Sequence, residues 1–166
     1  MVMSRLTFEP GVDFRPVWSR DGRTITYVSN RSGERAIWRR TADGSGTAES
    51  LFARQGRPVQ DARWHPDDRT LLFREGPAGA TQRDIGMLVP GRDTTPTMLL
   101  TTTFNESTPR LSPDGRWLAY VSDESGRREV YVRPFPGPAG RWQVSTDGGT
   151  QPLWSHSGRE IFYRAA

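Results

Sequence analysis

The chain has 166 residues, which suffice for one domain with a hydrophobic core and are too few for two ordinary domains. It contains no cysteine, which excludes disulfides and thiolate metal sites, and its 23 basic residues, all arginine, give a net charge of +4. Residues 1–10 lack an apolar run of signal-peptide length, and nowhere are about 18 consecutive residues apolar, as a membrane span requires. We therefore expect a chain that is cytoplasmic as written and has no membrane partner.

Four segments of the sequence share one pattern. An apolar anchor is followed seven positions later by an aliphatic residue and nine positions later by an aromatic one. This alternation of period two is typical of a strand. The anchors lie 46, 47 and 43 residues apart, which is the spacing of propeller blades or solenoid units. They are Trp18, Trp64, Leu111 and Trp154.

In chain order, the pattern predicts an outer strand, three complete four-stranded units and a half unit, which makes fifteen strands. The outer strand is placed at residues 4–8 because Leu6 stands twelve residues before its anchor, as do the apolar residues that end the later units. The predicted fold is all-β, a β-propeller of four-stranded antiparallel blades with about three and a half blades in 1–166. A solenoid is the structural alternative. The units cover about 14–57, 58–104, 105–146 and, for the half blade, 150–165.

A tight turn joins each anchor strand to the next strand. It is clearest at Ser112–Gly115, where Pro113 suits the second turn position and the glycine suits a positive φ at the fourth. In the second repeat Asp68 replaces the glycine, and because aspartate tolerates the left-handed region we expect the turn to survive there.

The segments Leu111–Tyr120 and Trp154–Tyr163 resemble the TolB-like propeller repeat, whose blade typically begins Trp-Ser-Pro-Asp-Gly. The stretch from Phe104 to Tyr163 looks most like the C-terminal propellers of bacterial serine/threonine kinases, although the chain carries no kinase motif. The resemblance implies a propeller, and it would allow an extracytoplasmic parent domain. Related propellers usually have six or more blades, so this chain supplies a partial ring.

The incomplete ring leaves an open blade edge with unpaired backbone groups and an exposed apolar face. Either the N-terminal strand near Leu6 closes a small ring within one chain, or two chains assemble one larger ring. We favour a homo-oligomer, a dimer that completes the ring, because closure within one chain would lack a strand.

The sequence favours a non-catalytic interaction or sensor module that self-associates and binds a protein or peptide. TolB-like blades also form the lid of prolyl oligopeptidase-type enzymes, but no Gly-x-Ser-x-Gly elbow occurs here. The alternative is a hydrolase or lyase whose site lies in the propeller channel and uses Asp61 with Arg15 or Arg110.

The ligand-binding residues are expected at the channel mouth, where the innermost strands begin. Four residues share one register, three positions before each anchor, and two arginines follow close behind. The candidates are Arg15, Asp61, Thr108 and Gln151, with Arg63 and Arg110.

Neither a metal nor another cofactor is predicted. His65 and His156 fall in hairpin turns, where we expect solvated side chains, and the aspartates of the turns are expected to bond to nearby backbone. The charge pattern argues against nucleic acid as a partner, because phosphate binding favours clustered basic residues. Here the arginines after the turns are spread around the ring, and others are interleaved with acidic residues. The anchor tryptophans are expected to pack between blades.

Overall fold

The computed structural model describes residues 5–77, 82–137 and 140–165. All regular structure in this part of the chain is β, in fourteen strands. None of it forms a helix with the length and apolarity that a membrane crossing requires. The strands are β1 Asp13–Trp18, β2 Thr24–Ser29, β3 Ala36–Thr41, β4 Glu49–Phe52, β5 Val59–Trp64, β6 Leu71–Glu75, β7 Asp84–Leu88, β8 Thr97–Leu100, β9 Ser107–Leu111, β10 Trp117–Ser122, β11 Glu129–Pro134, β12 Trp142–Gln143, β13 Thr150–Trp154 and β14 Ile161–Arg164.

The strands form three antiparallel sheets of four strands and one sheet of two. Each complete sheet follows chain order, β1 to β4, β5 to β8 and β9 to β12, and β13 pairs with β14. The first strands of successive sheets contact one another, so they are the innermost strands of the ring. The predicted all-β fold of three and a half four-stranded blades is confirmed.

The predicted outer strand at residues 4–8 was wrong. Residues 5–8 form no strand, and Ser4 lies outside the described residues. An outer strand needs a third strand beside it for hydrogen bonding. The half blade ends after its second strand, β14, so this partner is missing from the described chain, and the apolar character of Leu6 alone does not make a strand.

The turns between first and second strands form as predicted. Gly115 has a φ of 72°, and its N–H donates a hydrogen bond to the carbonyl oxygen of Ser112 at 2.8 Å. A Cβ at this glycine would lie 2.3 Å from Nε2 of His65, so both the φ and the space require glycine. Asp68 adopts a φ of 54° in the second repeat, which confirms the left-handed conformation expected of it.

The hydrophobic core lies between blades. One buried cluster joins the first and second blades through Val28, Ile37 and Phe73. Another joins the second and third blades through residues that include Leu72 and Leu118. At each junction the second strand of one blade packs against the first strand of the next. The chain is therefore held together by successive blade-to-blade interfaces.

Two anchor tryptophans mark these junctions. Trp64 donates its indole N–H to the hydroxyl of Thr26 on the preceding blade at 2.9 Å, and Trp154 donates to the carbonyl of Arg110 at 3.0 Å. The prediction of packing between blades is wrong for Trp18, which is 59% exposed. The described chain contains no blade that precedes Trp18, so this side chain is left mostly exposed.

Candidate functional site

Three of the predicted site residues lie at β-bulges in innermost strands. Arg15, Thr108 and Gln151 have φ values of 54°, 47° and 54°, and each is followed by a proline. At each bulge this residue and its proline lie opposite one residue of the second strand. The bulge gives these three side chains the same place in their blades.

Asp61 departs from this shared geometry. In the second blade the irregularity falls between Val59 and Asp61, and Asp61 pairs in register with Arg74. Residue 62 is alanine where the other blades have proline, and Asp61 is absent from the residues with positive φ. Of the four residues that share the predicted register, Arg15, Thr108 and Gln151 therefore adopt the same backbone conformation and Asp61 does not.

Asp61 lies at the centre of a group of arginines. Its side chain is fully buried, and its Oδ1 accepts the N–H of Ala62 at 3.0 Å and lies 3.1 Å from Arg63. Its Oδ2 lies 3.8 Å from Arg15 and 3.9 Å from Arg110. Burial lowers the pKa of Arg110, and Arg63 lowers it further while Asp61 opposes the shift. The structure thus brings three of the six predicted residues, all arginines, around the carboxylate of a fourth, Asp61.

The predicted residues line two different cavities. Arg15, Thr108 and Gln151 line a cavity of about 360 Å³, which we call the axial cavity. Arg63 and Arg110 line another, of about 220 Å³, together with Trp154 and other residues. Asp61 is paired with arginines of both cavities but is itself inaccessible. The predicted single ring of site residues is therefore divided.

Sequence reasoning missed most of the charge of the axial cavity. Arg74, Arg128, Arg164 and Asn105 also line it. Arg74 and Arg164 each stand ten residues after an anchor, and Val121, at the same position of the third repeat, lines the cavity too. A comparison of the residues ten positions after each anchor would have identified Arg74 and Arg164 from the sequence. Arg128 lies in the loop before β11 and carries no such signal.

Among the arginines that line the axial cavity, Arg74 has a pKa that is clearly shifted by burial. The pKa of this guanidinium is lowered to about 10, chiefly by burial and also by Arg15, Arg83 and Arg128, while Asp61 opposes the shift. The group remains protonated at neutral pH. The axial cavity is therefore a positively charged surface.

The prediction of a solvated turn was wrong for His65. Its ring stacks on Phe135 with 5.3 Å between centroids, and Nε2 lies 3.2 Å from the carbonyl oxygen of Gly115. These contacts join the second and third blades. Among the described residues no group of three or more His, Asp or Glu side chains is arranged to hold a metal ion.

Four-stranded antiparallel blades around an innermost layer of first strands define a β-propeller. The family profile of the TolB beta propeller domain matches residues 1–158. The chain therefore belongs to this family, as the anchor-and-turn repeat predicted.

Solved structures agree with this fold. TolB from Acinetobacter baumannii is similar at 20% identity and a TM-score of 0.75, over 92% of this chain and 37% of that one. A TolB protein from Agrobacterium tumefaciens is similar at 20% identity and 0.72, over 88% and 51%. An oligogalacturonate lyase in complex with manganese is similar at 15% identity and 0.69, over 92% and 44%. The chain spans about half or less of each protein, and no curated protein matches it significantly.

Proposed function

We propose that this chain is a protein-interaction module that self-associates, with the half blade of one copy packing against the first blade of another. The observation that carries the proposal is the exposure of apolar residues at both ends of the blade array. Residues at the equivalent repeat positions are covered where two blades of the chain meet. A TolB-like propeller fold agrees with a role in protein interaction.

The uncovered positions match across the repeat. Phe162 in β14 corresponds to Thr26, Leu72 and Ala119 in the second strands of the complete blades. Those three residues are at most 1% exposed, whereas Phe162 is 58% exposed. Leu153, which pairs with Phe162 across the two strands of the half blade, is exposed as well. The half blade therefore presents an apolar face of the kind that a following blade covers.

The junction between the first two blades indicates which surface of a second copy would cover the half blade. There Trp64 packs on Thr26 of the preceding blade. By the repeat, Trp18 of one copy is the counterpart of Trp64, and Phe162 of another copy is the counterpart of Thr26. The two exposed aromatic residues thus meet in the proposed interface. Two copies joined at both junctions would close a ring, because each supplies one surface of each kind.

We propose the loops that lead into the innermost strands as the surface for a protein or peptide ligand. These loops carry charges of both signs, among them Glu9, Arg54 and Asp147. A polar partner suits such a surface better than an apolar one.

The enzymatic alternative built on Asp61 has little support. A catalytic carboxylate must reach the proton that it transfers. Asp61 is fully buried and lies within 4 Å of three arginines, which occupy the approaches to its oxygens.

The experiment is sedimentation velocity over a range of concentrations on wild type, Trp18→Arg and Phe162→Arg. Wild type is expected to populate a dimer, and each variant is expected to shift to monomer because a charge then enters an apolar interface. Trp142→Arg is the matched control, since Trp142 is 54% exposed but lies on an outer strand, away from both array ends. A wild-type monomer at every concentration, with a folded circular dichroism spectrum, would contradict the proposal.

A further inference from the structure

The axial cavity brings four guanidinium groups together without an acidic lining residue. Arg15 comes from β1, Arg74 from β6, Arg128 from the loop before β11 and Arg164 from β14, so every blade of the chain contributes one. The volume of about 360 Å³ lies in the usual range for small-ligand sites. This concentration of like charge is unfavourable unless something compensates it.

Within the described residues, most arginines of the axial cavity lack the carboxylate partner that many arginines elsewhere in the chain have. Arg57, for example, pairs with both Glu75 and Asp84. Among the arginines that line the axial cavity, only Arg15 lies within 4 Å of a described carboxylate, at 3.8 Å from Asp61. Arg74, Arg128 and Arg164 form no ion pair with any carboxylate that the structure describes. Three cations of one cavity are therefore available to an anion.

Three buried polar atoms in this cavity also lack hydrogen bonds. They are Nε of Arg74, Oδ1 of Asn105 and Oγ1 of Thr108, and none has a hydrogen-bond partner within the described ranges. Buried polar atoms are nearly always paired in folded proteins, so three in one cavity are unusual. The arginine offers a donor, the amide oxygen offers an acceptor and the hydroxyl offers both. Together they suit a ligand that carries an oxyanion and a hydroxyl or amide donor.

We infer that the axial cavity binds a small oxyanion ligand, with a carboxylate or phosphate group held by Arg74 together with Arg128 and Arg164. Guanidinium groups recognise both kinds of oxyanion through paired N–H donors. Asn105 accepts a hydrogen bond from a hydroxyl or amide of the same ligand. All these residues belong to one chain, so the inference does not depend on self-association.

The test is isothermal titration calorimetry with citrate, which carries carboxylates and a hydroxyl, and separately with pyrophosphate, which supplies phosphate alone. We expect one site per chain for at least one of the two probes and weaker binding as salt is raised. A preference for citrate identifies carboxylate chemistry, and a preference for pyrophosphate identifies phosphate chemistry; either supports the site. Binding of neither probe to folded wild type overturns it.

The variants locate the binding. Arg74→Gln is expected to weaken it at least about tenfold, because hydrogen bonds to charged groups are lost. Arg164→Gln changes an exposed side chain and is expected to weaken binding without affecting the fold. The control is Arg23→Gln, which makes the same charge change at a side chain that is 86% exposed and outside the axial cavity. If all three variants lose affinity equally, the site is overturned in favour of diffuse charge.

The same titration on Trp18→Arg separates this inference from the proposed self-association. This variant changes a side chain that does not line the axial cavity. We expect it to bind the probe as wild type does, whether or not wild type forms a dimer. Loss of binding together with loss of the dimer would contradict a site built from one chain.

Discussion

At the scale of single residues, Glu106 is a buried carboxyl group with an unusual environment. Its side chain accepts a hydrogen bond from the hydroxyl of Thr102, while Oε2 has no hydrogen-bond partner among the described residues. The pKa of Glu106 is raised to about 7, chiefly by burial and to a smaller extent by the carboxylates of Asp84 and Asp123, against the hydrogen bond from Thr102. The folded chain therefore holds a proton on Glu106 that the unfolded chain releases near pH 4.5.

This pKa shift predicts a pH dependence of stability. Between about pH 4.5 and 7 the folded state binds more protons than the unfolded state, so the contribution of Glu106 to stability falls as pH rises. Glu106→Gln is expected to remove this part of the slope and to raise the free energy of unfolding at pH 8 by roughly 2 kcal/mol. Urea unfolding at several pH values measures both effects.

The control for this prediction is Glu49→Gln, at a side chain that is 61% exposed on an outer strand. It should leave the slope of wild type in place. If Glu106→Gln keeps the wild-type slope as well, the assignment of the slope to this carboxyl group is incorrect.

At the scale of elements, the bulge at Thr108 strains the first strand of the third blade. Thr108 is β-branched and has a φ of 47°, which is an outlier for such a residue. Its hydroxyl is also buried without a hydrogen-bond partner in the part of the chain described. The fold tolerates both features at a position that lines the axial cavity.

Thr108→Gly is expected to stabilise the chain by roughly 0.5 kcal/mol. Glycine relieves about 1 kcal/mol or more of left-handed strain, and its larger loss of backbone entropy offsets part of this gain. Thr150→Gly, at a residue of β13 outside the set with positive φ, is the control and should destabilise by about 1 kcal/mol. Thermal unfolding compares the two, and equal losses would show that the bulge at Thr108 is not strained.

The elements that the sequence predicted correctly are those specified by local pattern. The alternation after each anchor predicts the second strands, because a strand buried in a blade needs apolar residues at alternate positions. The outer strand at 4–8 was predicted on the spacing of Leu6 alone. A strand forms only beside a partner, and no pattern within residues 4–8 shows whether that partner exists.

The candidate site was predictable to a similar degree. The register before the anchors places Arg15, Thr108 and Gln151 at the innermost strands, and the structure has them lining one cavity. Arg128 could not be predicted, because it reaches the cavity from a loop, and the repeat pattern does not specify the path of that loop. The hypothesis that paired Asp61 with Arg15 or Arg110 placed residues of different blades together, and the structure has both arginines, with Arg63, within 4 Å of its carboxylate.

At the scale of the whole molecule, the main contacts among the described strands of different blades join successive blades of an array. Such arrays are stabilised mainly by the interfaces between successive units. The three junctions within the chain bury their aromatic and aliphatic residues, and the two ends do not. Self-association would convert both exposed ends into further junctions of the same kind.

The most direct measurement mixes Trp18→Arg with Phe162→Arg and follows the mass in solution by sedimentation velocity. Alone, each variant damages both junctions of a two-chain ring and is expected to remain monomeric. In the mixture, the intact Trp18 of one chain meets the intact Phe162 of the other, so a mixed dimer held by one junction is expected. A mixture that stays monomeric, from variants of a wild type that does dimerise, would contradict an interface between the half blade and the first blade.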